Sequence, residues 1–104
     1  MAKEINWQGK SGTNYTYKIY PLDTSFKAIA GNYCFAKEVQ PNKWRPIYFG
    51  ETGDLSTRFD NHHKMDCVTK NGADSIHVHA NNSSNARLDE EADLIAKWDP
   101  VCNG

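Results

Sequence analysis

The sequence predicts one small domain that mixes strands and helices, an α+β (α/β) fold. Several short segments alternate apolar with polar side chains, which is typical of strands with one buried face. One longer segment, residues 85–97, instead repeats its apolar residues with helical spacing. The chain has 104 residues, 38% of them hydrophobic and 12% aromatic, which suits a single domain with a modest core.

Four segments predict strands. Residues 15–20 alternate and are closed by Pro21, because proline cannot donate to a strand ladder. Residues 75–80 alternate strictly, and we expect His77 and His79 on a solvated or substrate-facing side. The other two segments are residues 32–39 and 44–49, which are separated by the turn residues 41–43. Pro46 in the second of these segments indicates an edge strand or a bulge.

Residues 47–63 begin as a strand, break at Gly50 and then predict a helix over residues 54–64. At about 100° per residue, Arg58 and His62 fall on the apolar face of this helix. An arginine on a buried helix face is uncommon, because an unpaired buried charge is costly. Either a carboxylate meets Arg58 in the core, or this face opens onto a cleft that holds an anion.

The helix predicted over residues 85–97 shows the same feature with the opposite charge. At about 100° per residue, Glu91 falls within the apolar stripe, whereas Glu90 and Asp93 are expected on the solvated side. Arg58 and Glu91 are therefore either a buried ion pair or a site that holds a phosphate and a divalent cation. The stripe consists of Leu88, Ala92, Ile95 and Trp98.

Charge and cysteine content limit the classes of function. The net charge of −1 is not the footprint of a strong general nucleic-acid binder, so any phosphate contact must come from local placement. No segment resembles a transmembrane span or a signal peptide, so we expect a cytoplasmic protein without membrane contact. The three cysteines are expected to be reduced there, with Cys34 and Cys102 as small core residues.

Six short motifs follow one another from the second predicted strand to the end of the chain. Each motif alone is weak, but their order and spacing form a strong composite signal. Together they resemble the GIY-YIG nuclease family, which includes homing endonucleases and the incision nuclease of nucleotide excision repair. The motifs are Gly31-Asn32-Tyr33, Tyr48-Phe49-Gly50, Arg58, His62, Glu91 to Ile95, and Pro100 to Asn103.

The resemblance implies a central three-stranded antiparallel sheet flanked by helices. Residues 31–104 would form the nuclease domain, and residues 1–30 would form an N-terminal extension, a strand or a loosely docked arm, that packs on it. The family activity implies metal-dependent hydrolysis of phosphodiester bonds with Mg²⁺ or Mn²⁺ as cofactor. The implied partner is nucleic acid, with DNA favoured over RNA, and a protein partner would supply targeting.

The resemblance also assigns roles by motif position. Tyr33 and Tyr48 would be the two motif tyrosines facing the cleft, with Tyr33 as the general base. Arg58 would hold the phosphate, and Glu91 would bind the metal. Tyr48 and His62 are rival bases, because a neutral imidazole near pH 7 accepts a proton easily.

Four further positions complete the predicted site. Asn103 would close the domain near the cleft, and Gly50 would lie against the substrate. Lys37 shares strand parity with Tyr33 and would favour its phenolate, although its offset from the motif differs by one residue. Trp44, with the basic residues beside it, would stack on nucleic acid.

This chain departs from the family pattern in two ways. The motifs read GNY and YFG, and the middle residues Asn32 and Phe49 point away from the cleft if strand alternation holds. The two tyrosines are also farther apart than usual, which implies a longer hairpin loop around residues 38–45. The alternative function is a catalytically degenerate domain that binds nucleic acid or protein, which the near-neutral charge favours.

Overall fold

The computed structural model of the protein describes residues 3–59 and 62–103, with Arg58 described by its backbone alone. These residues contain five strands and three helices. None of these helices combines the length and the apolar character that a membrane crossing requires. The elements are β1 (Lys3–Gln8), β2 (Asn14–Pro21), β3 (Gly31–Gln40), β4 (Lys43–Thr52), α1 (Leu55–Arg58), α2 (Met65–Lys70), β5 (Ser75–Ala80) and α3 (Ser84–Trp98).

The strands form one antiparallel sheet in the order β1-β2-β5-β3-β4. The predicted α+β class is therefore confirmed, but the sheet has five strands, where the resemblance implied three central strands with an N-terminal strand or arm. The first two strands extend the sheet beyond β5. The N-terminal segment is thus a paired strand and not a loose arm, and it buries Trp7, which is only 2% exposed.

Helices cover both faces of the sheet, and two core clusters result. The first half of β3, Gly31 to Ala36, is buried throughout because neither of its faces meets water. One cluster lies under α1 and α2 and includes Tyr33, Phe35, Ile47, Tyr48, Leu55, Val68, Ile76, Val78 and Cys102. The other lies under α3 and includes Trp7, Tyr17, Cys34, Ala36, Phe49 and Leu94.

The hairpin that joins β3 to β4 has a tight turn, so the expected longer loop is wrong. Gln40 pairs with Lys43, and Asn42 takes the left-handed conformation that such a turn needs, at φ 62°. The additional residues instead lengthen both strands. A register shift between Phe35 and Ala36, opposite Pro46, confirms the predicted bulge on an edge strand.

The single helix expected over residues 54–64 is wrong. Asp54 caps α1 by accepting the backbone N–H of Ser56 at 2.9 Å, but the helix ends at Arg58. His62 lies outside any helix, and its ring accepts the backbone N–H of Lys64. The short helical turn expected before Asn71-Gly72 is present as α2.

Helix α3 is rotated relative to the predicted stripe. Its buried residues are Arg87, Glu90 and Leu94, whereas Leu88 is 49% exposed and Trp98 is 39% exposed. The expectation that Glu90 faces solvent is therefore wrong. Polar side chains of this helix are buried because strands from distant parts of the chain offer them hydrogen-bond partners.

Glu90 lies in a buried polar cluster between α3 and the sheet. Its carboxylate accepts a hydrogen bond from the Tyr17 hydroxyl at 2.6 Å and lies 3.0 Å from Nδ1 of His79. Burial, with the Glu90 charge beside it, raises the pKa of Tyr17 well above its usual value. This cluster fixes α3 against β2 and β5.

Asp93 connects α3 to the β1–β2 hairpin. The expectation that Asp93 simply faces solvent is therefore wrong. Its carboxylate accepts hydrogen bonds from the backbone N–H of Ser11 at 2.9 Å, the Ser11 hydroxyl at 2.7 Å and the Tyr15 hydroxyl at 2.8 Å. A side chain at Gly9 would place Cβ within 2.0 Å of Asp93 Oδ2. Burial and the bond to Asp93 raise the pKa of Tyr15 to about 12, and the Ser11 hydroxyl lowers the pKa of Asp93.

His77 is fully buried, so its predicted place on a solvated face is wrong. The indole N–H of Trp7 donates to His77 Nδ1 at 3.0 Å, and Ser75 Oγ lies 3.1 Å from Nε2. Trp44 packs its edge against the same ring, with centroids 4.9 Å apart. Burial penalises the charged imidazolium and lowers the pKa of His77 from 6.5 to about 4.

A disulfide joins Cys67 on α2 to Cys102 near the C-terminus, so the expectation that these thiols are reduced is wrong. Cys34 is the remaining free cysteine and is buried, as predicted. Disulfides are typical of oxidising compartments. The cytoplasmic location stays a prediction.

The His77→Gln variant is expected to lose less stability in acid than the wild type. The unfolded chain takes up a proton near pH 6.5, whereas the folded protein resists protonation of His77 until about pH 4. Stability is therefore full above pH 6.5 and falls as pH drops toward 4, by about 3 kcal/mol for the whole interval. Urea unfolding of both proteins at pH 7 and pH 4.5 measures this difference, and an equal loss in both would contradict the assignment.

Replacing both Cys67 and Cys102 by Ser is expected to lower the free energy of unfolding by about 3–4 kcal/mol. The reason is that the bond, which spans 35 residues, restricts the unfolded chain. Denaturant unfolding measures the change, and wild type treated with a dithiol reductant should match the double variant. Identical midpoints for untreated wild type and double variant would show that the bond does not form.

Candidate active site

Tyr33 lies on β3 with its ring over Gly50 of the neighbouring strand. The two residues are partners in the β3–β4 register, and Tyr33 is fully buried. A Cβ at residue 50 would lie 2.4 Å from Cζ of Tyr33 and 2.5 Å from its hydroxyl oxygen. Only glycine allows this approach, which carries the phenol toward the edge of the sheet, because β4 is an edge strand.

His62 bonds to the hydroxyl group of Tyr33, with Nε2 2.7 Å from the oxygen. Its other ring nitrogen, Nδ1, accepts the backbone N–H of Lys64 at 3.0 Å. A nitrogen that accepts carries no proton, so the neutral ring has its proton on Nε2 and donates it to Tyr33. The local chain thus fixes His62 as a hydrogen-bond donor to the phenol.

Tyr48, the other motif tyrosine, packs beside this pair. Its ring lies 6.1 Å from that of Tyr33 and 5.3 Å from that of His62, between centroids. His63 stacks on His62 at 4.7 Å, and Phe59 lies edge-on to Tyr33 at 5.0 Å. The structure therefore brings together three of the predicted residues, both tyrosines and His62, in one aromatic group.

Asn103 holds the motif strand from outside. Its side-chain oxygen accepts the backbone N–H of Phe49 at 2.9 Å, and its amide nitrogen donates to the Phe49 carbonyl, also at 2.9 Å. Phe49 stands between Tyr48 and Gly50, so this pair of bonds holds the strand at the centre of its Tyr48-Phe49-Gly50 motif. The adjacent Cys102 disulfide fixes the segment that carries Asn103.

Glu91 lies half-buried on α3. This helix packs mainly against β4, on the sheet face opposite Tyr33. The side chain of Tyr33 and the helix that carries Glu91 therefore lie on opposite faces of the sheet. The backbone of Arg58 ends α1. The side chain of Arg58 is not among the described parts of the chain, so its predicted role stays a prediction.

The donor chemistry of Glu91 fits a magnesium-like ion. A carboxylate offers the hard oxygen ligands that such ions prefer, and Mg²⁺ usually keeps several waters while binding one or two carboxylates. In the described part of the chain, no group of three or more His, Cys, Asp or Glu side chains forms a full cage. The carboxylate of Glu91 is thus of the chemical type that the predicted metal ligand requires.

The structure places two predicted substrate contacts away from Tyr33. Lys37 is exposed four residues farther along β3, with Phe35 between them on the same face, and its side chain runs beside Gly72. Trp44 packs half-buried in the cluster under α3, on the other face of the sheet. Neither the phenolate role of Lys37 nor the stacking role of Trp44 gains support from this geometry.

Two charged residues near the motifs were not singled out from the sequence. Arg87 is only 7% exposed, and its Nε donates to the carboxylate of Glu51 at 2.9 Å. Glu51 directly follows Gly50, and Arg87 stands one helical turn before Glu91. The signal available in the sequence was an arginine four residues before a predicted metal ligand, on the same side of the predicted helix.

The element order and the sheet topology define a domain with the GIY-YIG fold. No protein-family model and no curated protein sequence matches this chain.

Solved structures of one such domain resemble it throughout most of its length. The GIY-YIG N-terminal endonuclease domain of UvrC from Thermotoga maritima, bound to magnesium, matches with a TM-score of 0.61 and 24% identity, covering 75% of this chain and 86% of that chain. A tyrosine-to-phenylalanine variant of that domain gives 0.61 and 23% with the same coverage. An asparagine-to-alanine variant gives 0.59 and 23%, covering 73% and 83%. The predicted fold is thereby confirmed.

Replacing Gly50 by Ala is expected to displace the Tyr33 ring and to lower the free energy of unfolding by about 1–3 kcal/mol, as overpacking does. Gly53→Ala is the matched control, because nothing lies within 4 Å of the added methyl group and Gly53 is exposed. Urea unfolding and the NMR signals of the His62 ring measure the two effects. Equal stability of the two variants would contradict the position of Tyr33 described above.

Proposed function

We propose that the protein is a metal-dependent endonuclease of the GIY-YIG type that hydrolyses phosphodiester bonds in DNA. The observation that carries this proposal is the 2.7 Å hydrogen bond between Tyr33 and His62 at the Gly50 edge of the sheet. The likeness to an endonuclease domain solved with magnesium supports Mg²⁺, or Mn²⁺, as the cofactor. It also supports nucleic acid as the partner.

Tyr33 is the proposed general base that removes a proton from the attacking water. A phenol ordinarily has a pKa near 10, so a catalytic phenol needs a group that stabilises its anion. His62 Nε2–H is directed at that oxygen and supplies such a bond. We therefore propose that His62, and not Lys37, favours the phenolate of Tyr33.

His62 itself is a poor candidate for the base in this arrangement. Its Nδ1 is engaged with the backbone of Lys64, and its Nε2 is engaged with Tyr33. A base needs a lone pair directed at the water. We therefore assign His62 a supporting role beside Tyr33, with Tyr48 as the remaining rival base.

Arg58 and Glu91 are proposed to handle the charge of the phosphate. A guanidinium offers planar donors that fit phosphoryl oxygens, which is the role that we propose for Arg58. The Glu91 carboxylate would hold the divalent cation. When bound, this cation would supply a Lewis acid that stabilises the negative charge of the phosphate during hydrolysis. Asn103 is proposed to hold the motif strand in place through its two hydrogen bonds to the backbone of Phe49.

The alternative is a domain of the same fold that binds nucleic acid or protein without cutting it. The net charge of −1 favours this reading. Such a domain would not need a cation at Glu91. Metal-dependent cleavage therefore separates the two functions.

Cleavage of a panel of labelled DNA and RNA structures with Mg²⁺ or Mn²⁺ tests the proposal. We expect Glu91→Gln to reduce the rate by about 100-fold or more, as loss of a major electrostatic contact does. Tyr33→Phe should be similarly slow, because it lacks the atom that takes the proton. Asp89→Asn is the matched control, since Asp89 is exposed on the same helix and should cut like wild type.

Thermal melts verify that each variant is folded before its rate is compared. A folded Glu91→Gln protein that cuts as fast as wild type would refute the metal assignment. Absence of any metal-dependent cutting by wild type, across the whole panel, would favour the binding module.

A further inference from the structure

The guanidinium of Arg87 is buried at the start of α3 and has two strong partners. Its Nε donates to Glu51 Oε2 at 2.9 Å, and its Nη1 donates to the carbonyl of Asn81 at 3.0 Å. Burying a charge is costly unless it is paired and hydrogen-bonded, and Arg87 meets both conditions. The pair therefore connects α3 to β4 through a well-satisfied buried contact.

Asn32, the middle residue of the GNY motif, connects the same turn of α3 to β3. Its side chain is fully buried, and its amide nitrogen donates to the Arg87 carbonyl at 2.9 Å. Asn32 and Glu51 are also partners in the β3–β4 register. These three residues form one network, the Asn32–Arg87–Glu51 network, that joins both motif strands to one turn of the helix.

The network lies next to site residues in every element that it contacts. Asn32 directly precedes Tyr33, and Glu51 directly follows Gly50. Arg87 and Glu91 are four residues apart on α3, so they lie on the same side of the helix, about one turn or 6 Å apart. Contacts that hold Arg87 against both strands therefore also fix the rotation of α3 about its axis and its position along that axis, and so the position of the Glu91 side chain.

One polar atom of the network, the side-chain oxygen of Asn32, lowers the stability of the fold. Asn32 Oδ1 is buried and has no hydrogen-bond partner in the described part of the chain. An unsatisfied buried acceptor is unfavourable, and an apolar side chain would avoid the loss. The asparagine is therefore not explained by stability alone.

We propose that the Asn32–Arg87–Glu51 network is a positioning device that aligns the Glu91 carboxylate for its divalent cation. Arg87 is its central positioning residue and does not itself touch the cation or the substrate. This inference rests on the proposed function, because it takes Glu91 as the metal ligand. It predicts that altering the network weakens metal binding although every ligand remains.

The test measures Mn²⁺ affinity by electron paramagnetic resonance, without nucleic acid, so that it does not depend on activity. Arg87→Lys keeps the charge but loses the planar donor geometry, and Glu51→Gln keeps the shape but loses the charge. Each is expected to raise the Mn²⁺ dissociation constant by about 10-fold, as changes around metal ligands typically do. In cleavage assays, kcat should fall while KM for nucleic acid stays constant.

Asp93→Asn is the matched control. Asp93 attaches the same helix to the β1–β2 hairpin, on the far side from the motif strands. This variant should lose stability yet bind Mn²⁺ like wild type. A weakened affinity in the network variants, with an unchanged affinity in this control, supports positioning over simple destabilisation.

Two other results would overturn the proposal, and they differ. If folded Arg87→Lys or Glu51→Gln binds Mn²⁺ as wild type does, while Glu91→Gln binds it weakly, the network is merely structural. If Glu91→Gln itself binds Mn²⁺ as wild type does, the metal assignment of the proposed function fails, and the network has no ligand to align. Should Arg87→Lys not fold, Glu51→Gln alone decides between these results.

Discussion

The position of Tyr33 depends on a contact that only glycine permits. Its ring occupies the space in which any side chain at Gly50 would stand, within 2.4 Å of a Cβ. That contact lets a residue of an inner strand place its hydroxyl at the sheet edge, where His62 meets it. A bulkier residue 50 would push the phenol back and separate it from His62. The aromatic group, the donor and the edge strand are therefore one geometric unit.

Helix α3 is held on the sheet by polar attachments along its length and not by an apolar stripe alone. Arg87 and Glu90 meet strands of the sheet, and Asp93 meets the β1–β2 hairpin. Polar contacts have stricter distance and angle requirements than apolar packing. They therefore define the rotation of the helix more narrowly, which suits a helix that must present Glu91 at one place.

Part of this arrangement could be predicted from the sequence. Alternation predicted β2 and β5, because the side-chain parity of a strand is a local property. The order of the motifs assigned Tyr33, Tyr48, His62 and Asn103 to one site, and the structure places the first three in one aromatic group. Helical periodicity predicted α3 along the chain but gave the wrong buried face, since it weighs apolar residues only, whereas Glu90 is buried by partners from β2 and β5.

Other features depended on distant contacts that spacing does not encode. These include the end of α1 before His62 and the bond between Cys67 and Cys102. That disulfide closes a covalent ring of the chain that contains β5 and all of α3. Asn82 and Ser83, between those elements, are exposed, as protease-sensitive sites usually are. A cut there would leave two fragments that are still one molecule, and the segment bearing Glu91 could not diffuse away.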